Sequence, residues 1–179
     1  MHHRSSQTII IEGYFMLNNR NKSIRFLLLL FVLASTSAFA KGPINTLEKS
    51  GFFGYEPSEL AIRGADTVAY FTEGKYIAGS EQFSTQWQGA TWQFVSQKHL
   101  DLFTHSPEQY APQYGGYCAY GVSRNYLVKI EPENWTIVDG KLYLNYDDGV
   151  QRKWEKDIPG FINKADQQFP ELLVKNKKS

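Results

Sequence analysis

The chain carries one cysteine in 179 residues, Cys118. An internal disulfide is therefore impossible, and so is a Cys-x-x-Cys exchange couple. Both methionines, Met1 and Met16, lie near the N-terminus, so none occurs from residue 41 onward. Of the four histidines only His99 and His105 fall in that stretch. Structural zinc normally takes four cysteine or histidine ligands, and one thiol with two imidazoles is too few. No Gly-x-x-x-x-Gly-Lys and no Gly-x-Ser-x-Gly occurs, which removes P-loop phosphate binding and nucleophile-elbow hydrolysis. Lysines and arginines form no stripe that would argue for nucleic acid.

Long apolar runs are also scarce. The one unbroken run, Phe26 to Ala34, follows Arg20, Lys22 and Arg25 and leads into Ala38-Phe39-Ala40. A positive start, a short apolar run and a small-x-small end together predict a secretory signal peptide. A membrane span needs about 20 apolar residues, so no span is expected after cleavage. The chain is read as a non-native or misassigned extension over 1–15, a signal peptide over 16–40 and an extended leader over 41–60. A domain over 61–170 and a polar tail over 171–179 follow. The expected location is the periplasm or the exterior. Cleavage after Ala40 removes four basic residues and one acidic, leaving 15 basic and 17 acidic. The slight positive balance of the whole chain thus belongs to the signal, and Lys175, Lys177 and Lys178 read as a solvated end.

What the domain does have is a mixture of short β-prone runs and short helical patterns. Val68-Ala69-Tyr70-Phe71 predicts a strand. Phe83–Trp87 and Ala90–Val95 flank Gln88-Gly89 and predict a hairpin with Trp92 and Phe94 on one face. Ser96 caps a predicted helix over 97–105, with His99, Leu100 and Phe103 on one side. Ser106-Pro107-Glu108-Gln109 has a capping-box arrangement and restarts the helix. After Gly115-Gly116 the chain is expected to extend from Tyr117 to Val122. Asp139-Gly140 between Trp135–Val138 and Lys141–Leu144 is a strong hairpin signal. Asp147 or Asp148 opens a helix carrying Val150 and Trp154. Phe161, Ala165, Phe169 and Leu172 mark a last amphipathic helix that Pro170 is expected to bend or end. Strands and helices do not alternate regularly. The fold class is therefore α+β: one small domain of antiparallel β-hairpins packed against several short helices.

Four stretches together carry a resemblance: "ADTVAYF", "FVSQKHLDLFTHSPEQYAPQYGGYCA", "IVDGKLYLNY" and "KWEKDIPGFINKAD". Over roughly residues 61–170 the chain resembles the secreted bacterial YHS domain-containing proteins. The resemblance implies a small α+β module and metal handling. Some members of the secreted branch carry selenocysteine at the position matching Cys118, which implies redox or soft-metal chemistry there. The wider group commonly reads Phe-Cys-Ser-x-x-Cys-x-x-x-Phe. Here the matching stretch runs from Phe94 to Phe103, with Val95 and His99 in place of the two cysteines.

Three readings of Cys118 stay open. In the first, its thiolate is the principal ligand of a soft ion, Cu(I), with His99 as second ligand and His105 as the lesser alternative. In the second, Cys118 is a redox nucleophile acting with a partner's thiol, since the chain has no resolving cysteine. In the third, it is a small buried hydrophobe in an interaction domain. The partners expected are a metal ion or a periplasmic metal or redox protein. Tyr110, Tyr114, Tyr117, Tyr120 and Tyr126 are read as packing residues with a hydroxyl handle.

Overall fold

Three two-stranded antiparallel ladders and a set of mostly short helices make up the computed structural model, an α+β arrangement. It describes residues 42–50 and 54–176, which all belong to one unit, Ala38–Ser179. The signal peptide and the extension before it lie outside the described residues. Strand β1 (Leu47–Ser50) pairs with β2 (Gly54–Pro57), so part of the segment read as an extended leader is itself a ladder. Strand β3 (Ser80–Trp87) pairs with β4 (Ala90–Phe94), and β5 (Trp135–Val138) with β6 (Lys141–Leu144). Both later hairpins turn on two residues with positive φ, Gln88-Gly89 and Asp139-Gly140. That backbone matches the right-handed twist of the strands, and it explains why Gln-Gly does the same work as Asp-Gly.

Two short segments differ from the expectation. Residues 69–72 form a helical turn, α1 (Ala69–Thr72), and not a strand. The reason sits two residues upstream of Val68. Asp66 Oδ1 accepts from the N–H groups of Val68 (2.9 Å) and Ala69 (3.2 Å), the pattern of a carboxylate capping free donors at a helix start. A short apolar run cannot tell strand from helix by periodicity alone. Residues 119–122 likewise wind into a turn of helix, α4 (Ala119–Val122), with Val122 N–H on the Cys118 carbonyl at 2.8 Å.

The remaining helices follow the pattern closely. Helix α2 (Gln97–His105) starts on Ser96, whose hydroxyl accepts from His99 N–H. Helix α3 (Pro107–Tyr110) has Pro107 in its first turn, but the Ser106 side chain makes no capping bond, so the expected capping box is not formed. Asp147 caps α5 (Asp148–Trp154) through Val150 N–H at 2.8 Å. Helix α6 (Ile158–Asn176) continues past Pro170 to Asn176. Proline removes one backbone donor, yet the packing of Ala165 and Leu172 against the body holds the helix on both sides of it.

The core is in two clusters that share β6. Leu142 and Leu144 face one cluster, with Val68, Tyr70, Trp92, Phe94, Phe103 and Cys118. Tyr143, between them, faces the other, with Tyr117, Trp154, Ala165 and Leu172. Alternation along a strand places neighbours on opposite faces, and here both faces are covered. The leader docks on the glycine pair. Gly115 (φ 60°) and Gly116 (φ 79°) take the left-handed conformation that glycine adopts readily. A Cβ on Gly115 would run into the Pro43 carbonyl, and one on Gly116 into Ile62. Asn45 N–H bonds Gly115 O at 2.8 Å, and its side chain bonds Gly116 O at 3.0 Å. The Tyr117 hydroxyl donates to Gly42 O at 3.0 Å.

Candidate functional site

Asp66 has no exposed surface, and its carboxylate gathers four donors. Oδ1 takes the N–H groups that start α1. Oδ2 accepts from Val95 N–H at 2.9 Å and lies 2.7 Å from His99 Nδ1. A buried carboxylate is tolerated where hydrogen bonds satisfy its oxygens. This one ties the start of α1, the end of β4 and the first turn of α2 to a single point. An ionised carboxylate only accepts, so Nδ1 carries the proton in the bond to Asp66.

The bond to Asp66 orients the imidazole. His99 is 95 % buried, with a relative exposure of 5 %, and its second nitrogen, Nε2, lies near the end of α1. The groups near it come from the end of α1. Thr72 Oγ1 is 3.4 Å from Nε2, and Glu73 Oε1 is 4.0 Å away. Thr72 already gives its hydroxyl hydrogen to the Val68 carbonyl at 3.2 Å. Glu73 is open to solvent, its side chain 47 % exposed. A histidine whose Nδ1–H is held by a carboxylate while Nε2 stays available is the arrangement metal-ligating histidines commonly use.

Cys118 sits in different surroundings. It is 1 % exposed and stands at the start of α4. Its S–H donates to Asn145 Oδ1 at 3.7 Å, and Sγ accepts from Gly121 N–H at 3.3 Å. Asn145 is itself buried and passes the network on to Gln151. Burial pushes the thiol up to about 11, because a desolvated thiolate is costly, and the N–H groups of Gly121, Tyr146 and Tyr120 pull against this without reversing it. The hydrogen-bond partners of Cys118 and of His99 have no residue in common. Among the described residues no group of three or more histidine, cysteine or acidic side chains is arranged to hold a metal ion. Cys118 and His99 take part in separate hydrogen-bond networks. His99 by itself has the carboxylate-oriented imidazole that metal-ligating histidines use.

The other residues singled out from the sequence are placed as follows. His105 is exposed at the end of α2, beside a shallow depression with Lys98, Asp101 and Leu102. Tyr114 and Tyr117 are packing residues with bonded hydroxyls, Tyr114 OH reaching Asp166 Oδ1 at 2.8 Å. Tyr126 departs from that reading, being 65 % exposed.

Residues 68–114 match the YHS domain family. The chain contains a YHS domain. The matched span runs from α1 through the β3–β4 hairpin and α2 to the Gly115-Gly116 turn. It holds Thr72, Glu73 and His99, and it stops before Cys118. No curated protein and no solved structure matches the chain significantly.

Asp66, Thr72 and Glu73 were not found from the sequence. Reading residues 68–71 as a strand hid them, because a strand does not bring Thr72 and Glu73 back over Val68. The available signal was an aspartate just ahead of an apolar run, which is a helix-start pattern.

Proposed function

We propose that this YHS domain protein is periplasmic or secreted and binds a metal ion through the imidazole of His99. The observation that carries the reading is the 2.7 Å contact between His99 Nδ1 and the buried Asp66 carboxylate, which leaves Nε2 directed at Thr72 and Glu73. The signal-like segment over 16–40 supports export. Among the described residues no helix is long and apolar enough to cross a membrane. Cys118 is in this reading a core residue that locks α4 to Asn145.

A second reading, Cu(I) on a Cys118 thiolate, is favoured by the Gly121 N–H aimed at Sγ. It requires the thiol to lose the proton it gives to Asn145. One titration separates the two. The purified protein, its His99→Gln variant and its Cys118→Ser variant are titrated with Cu+, Cu2+ and Zn2+ against competing chelators. Loss of binding in His99→Gln alone supports the imidazole site. Loss of Cu+ binding in Cys118→Ser alone supports the thiolate. Equal binding in all three proteins ends both.

A further inference from the structure

We infer that the outer edge of β3 is an interaction surface for a second copy of this chain. The two copies join antiparallel through Ser84 and Gln86, about a two-fold axis at Thr85. This goes beyond metal binding and is independent of how His99 is used.

Strand β3 runs over eight residues, Ser80 to Trp87. Among the described residues it pairs with β4 alone. The far edge of β4 is already engaged: Thr91 N–H donates to Glu59 O at 2.7 Å, and Thr91 bridges Leu60. The sheet is therefore covered on one side and open on the other.

The hairpin fixes which backbone groups face the open side. Trp87 and Ala90 flank the two-residue turn and form its first hydrogen-bonded pair. Bonded and non-bonded pairs then alternate along an antiparallel ladder. The pairs Gln86↔Thr91 and Ser84↔Gln93 fall on the non-bonded positions. The N–H and C=O groups of Ser84 and Gln86 thus point away from β4. Neither residue has a backbone partner in another segment among the described residues. Their side chains are engaged locally, Ser84 Oγ on Glu81 O and Gln86 Nε2 on Thr91 Oγ1, which leaves these backbone groups free.

Exposed edges are commonly guarded by lysine, proline or inward-pointing charge. Ser80–Trp87 has no lysine, arginine or proline, and its one charge is Glu81. The register irregularity between Ser80 and Ser84 disturbs the start of the strand, so the regular edge is the stretch Ser84–Trp87.

That stretch is complementary to itself. With Ser84 opposite Gln86 of the second copy, each of the two symmetry-related pairs exchanges two N–H···O bonds. Thr85 meets Thr85 of the second copy across the axis, at the close spacing that favours β-branched pairs. Trp87, half-buried, comes opposite the half-buried Phe83 of the second copy on the same face. Glu81 comes opposite Gly89 in the turn, so no like charges meet. A contact of this kind closes on itself, and the covered far edge of β4 stops the sheet from growing further.

A strand-to-strand contact is small, so the association is weak. The purified protein is followed by sedimentation velocity from about 10 μM to 1 mM, with amide hydrogen exchange at Ser84 and Gln86 as second readout. The expected result is a shift from monomer to dimer across that range, with exchange at the two amides slowing as concentration rises. Ser84→Lys with Gln86→Lys sets like charges opposite each other in both pairs and is expected to raise Kd roughly tenfold or more. Ser84→Lys with Gln86→Glu sets opposite charges across the same pairs and is expected to restore association. Both positions are exposed, so each variant is expected to keep the melting temperature of the parent. A monomer throughout the range overturns the proposal. So does a dimer that the two lysines leave unchanged, or one that the opposite-charge variant fails to restore. A protein that stays monomeric but takes an unrelated extended peptide on Ser84 and Gln86 overturns it in favour of another occupant.

Discussion

Replacing Asp66 by alanine removes the acceptor for four donors at once: Val68 N–H, Ala69 N–H, Val95 N–H and His99 Nδ1–H. Ala69 N–H also bonds the Asp66 carbonyl at 3.2 Å, so it keeps a partner. The other three lose the acceptor they share, in a place with no exposed surface at Asp66. A buried donor left without a partner costs about 1–3 kcal/mol. Relaxation and an entering water lower the sum, so the lower end is the safer figure, about 3 kcal/mol for the three. In a domain of this size that corresponds to a fall in Tm of roughly 10 °C. Asp66→Asn keeps the shape and one acceptor oxygen but turns an NH2 group toward the remaining donors. Its expected loss is about 2 kcal/mol, between the parent and the alanine variant. Urea unfolding followed by tryptophan fluorescence measures both, since Trp92 and Trp154 are fully buried. A loss below about 1 kcal/mol in Asp66→Ala would refute the argument that this carboxylate joins α1, β4 and α2.

Further outcomes follow from other parts of the molecule. Native Cys118 is expected to resist iodoacetamide at pH 8 and to react fully in urea, because the thiol is buried and raised to about 11; rapid alkylation of the folded protein would contradict both. The same group makes stability alkali-sensitive. Its folded pKa lies above the unfolded value of about 8.5, so its contribution is whole below that pH and is lost as pH rises toward 11, which Tm against pH would show and which Cys118→Ala would flatten. At the acid end, Glu131 is opposed by burial, but Lys129 and Arg63 outweigh that and hold its carboxyl below the usual range. Its contribution is present above the unfolded value of about 4.3 and falls away as pH drops below it; Glu131→Gln should remove that part of the acid slope. Gly116→Ala forces a side chain into positive φ and against Ile62, with an expected cost of about 2 kcal/mol or more, and equal stability in the variant would show that Ile62 and the backbone yield easily.

The sequence by itself determined the local features of this protein. Two β-hairpins were legible because Gln88-Gly89 and Asp139-Gly140 sit between β-prone runs, and turn chemistry is decided by neighbours in the chain. The Ser96 and Asp147 caps were legible for the same reason. The Gly115-Gly116 pair was visible as a place where the backbone needs freedom, though not what approaches it. Tertiary structure alone decided that Pro43 and Ile62 press on those glycines, and that Cys118 faces Asn145. It also decided the site. Asp66 and His99 are 33 residues apart, and nothing in the spacing of either announces that one carboxylate will start α1, end β4 and orient an imidazole. Hydrogen bonds between distant segments depend on which elements pack together, and that is settled by burying both faces of β6 and the aromatic face of β4, which a local reading does not contain.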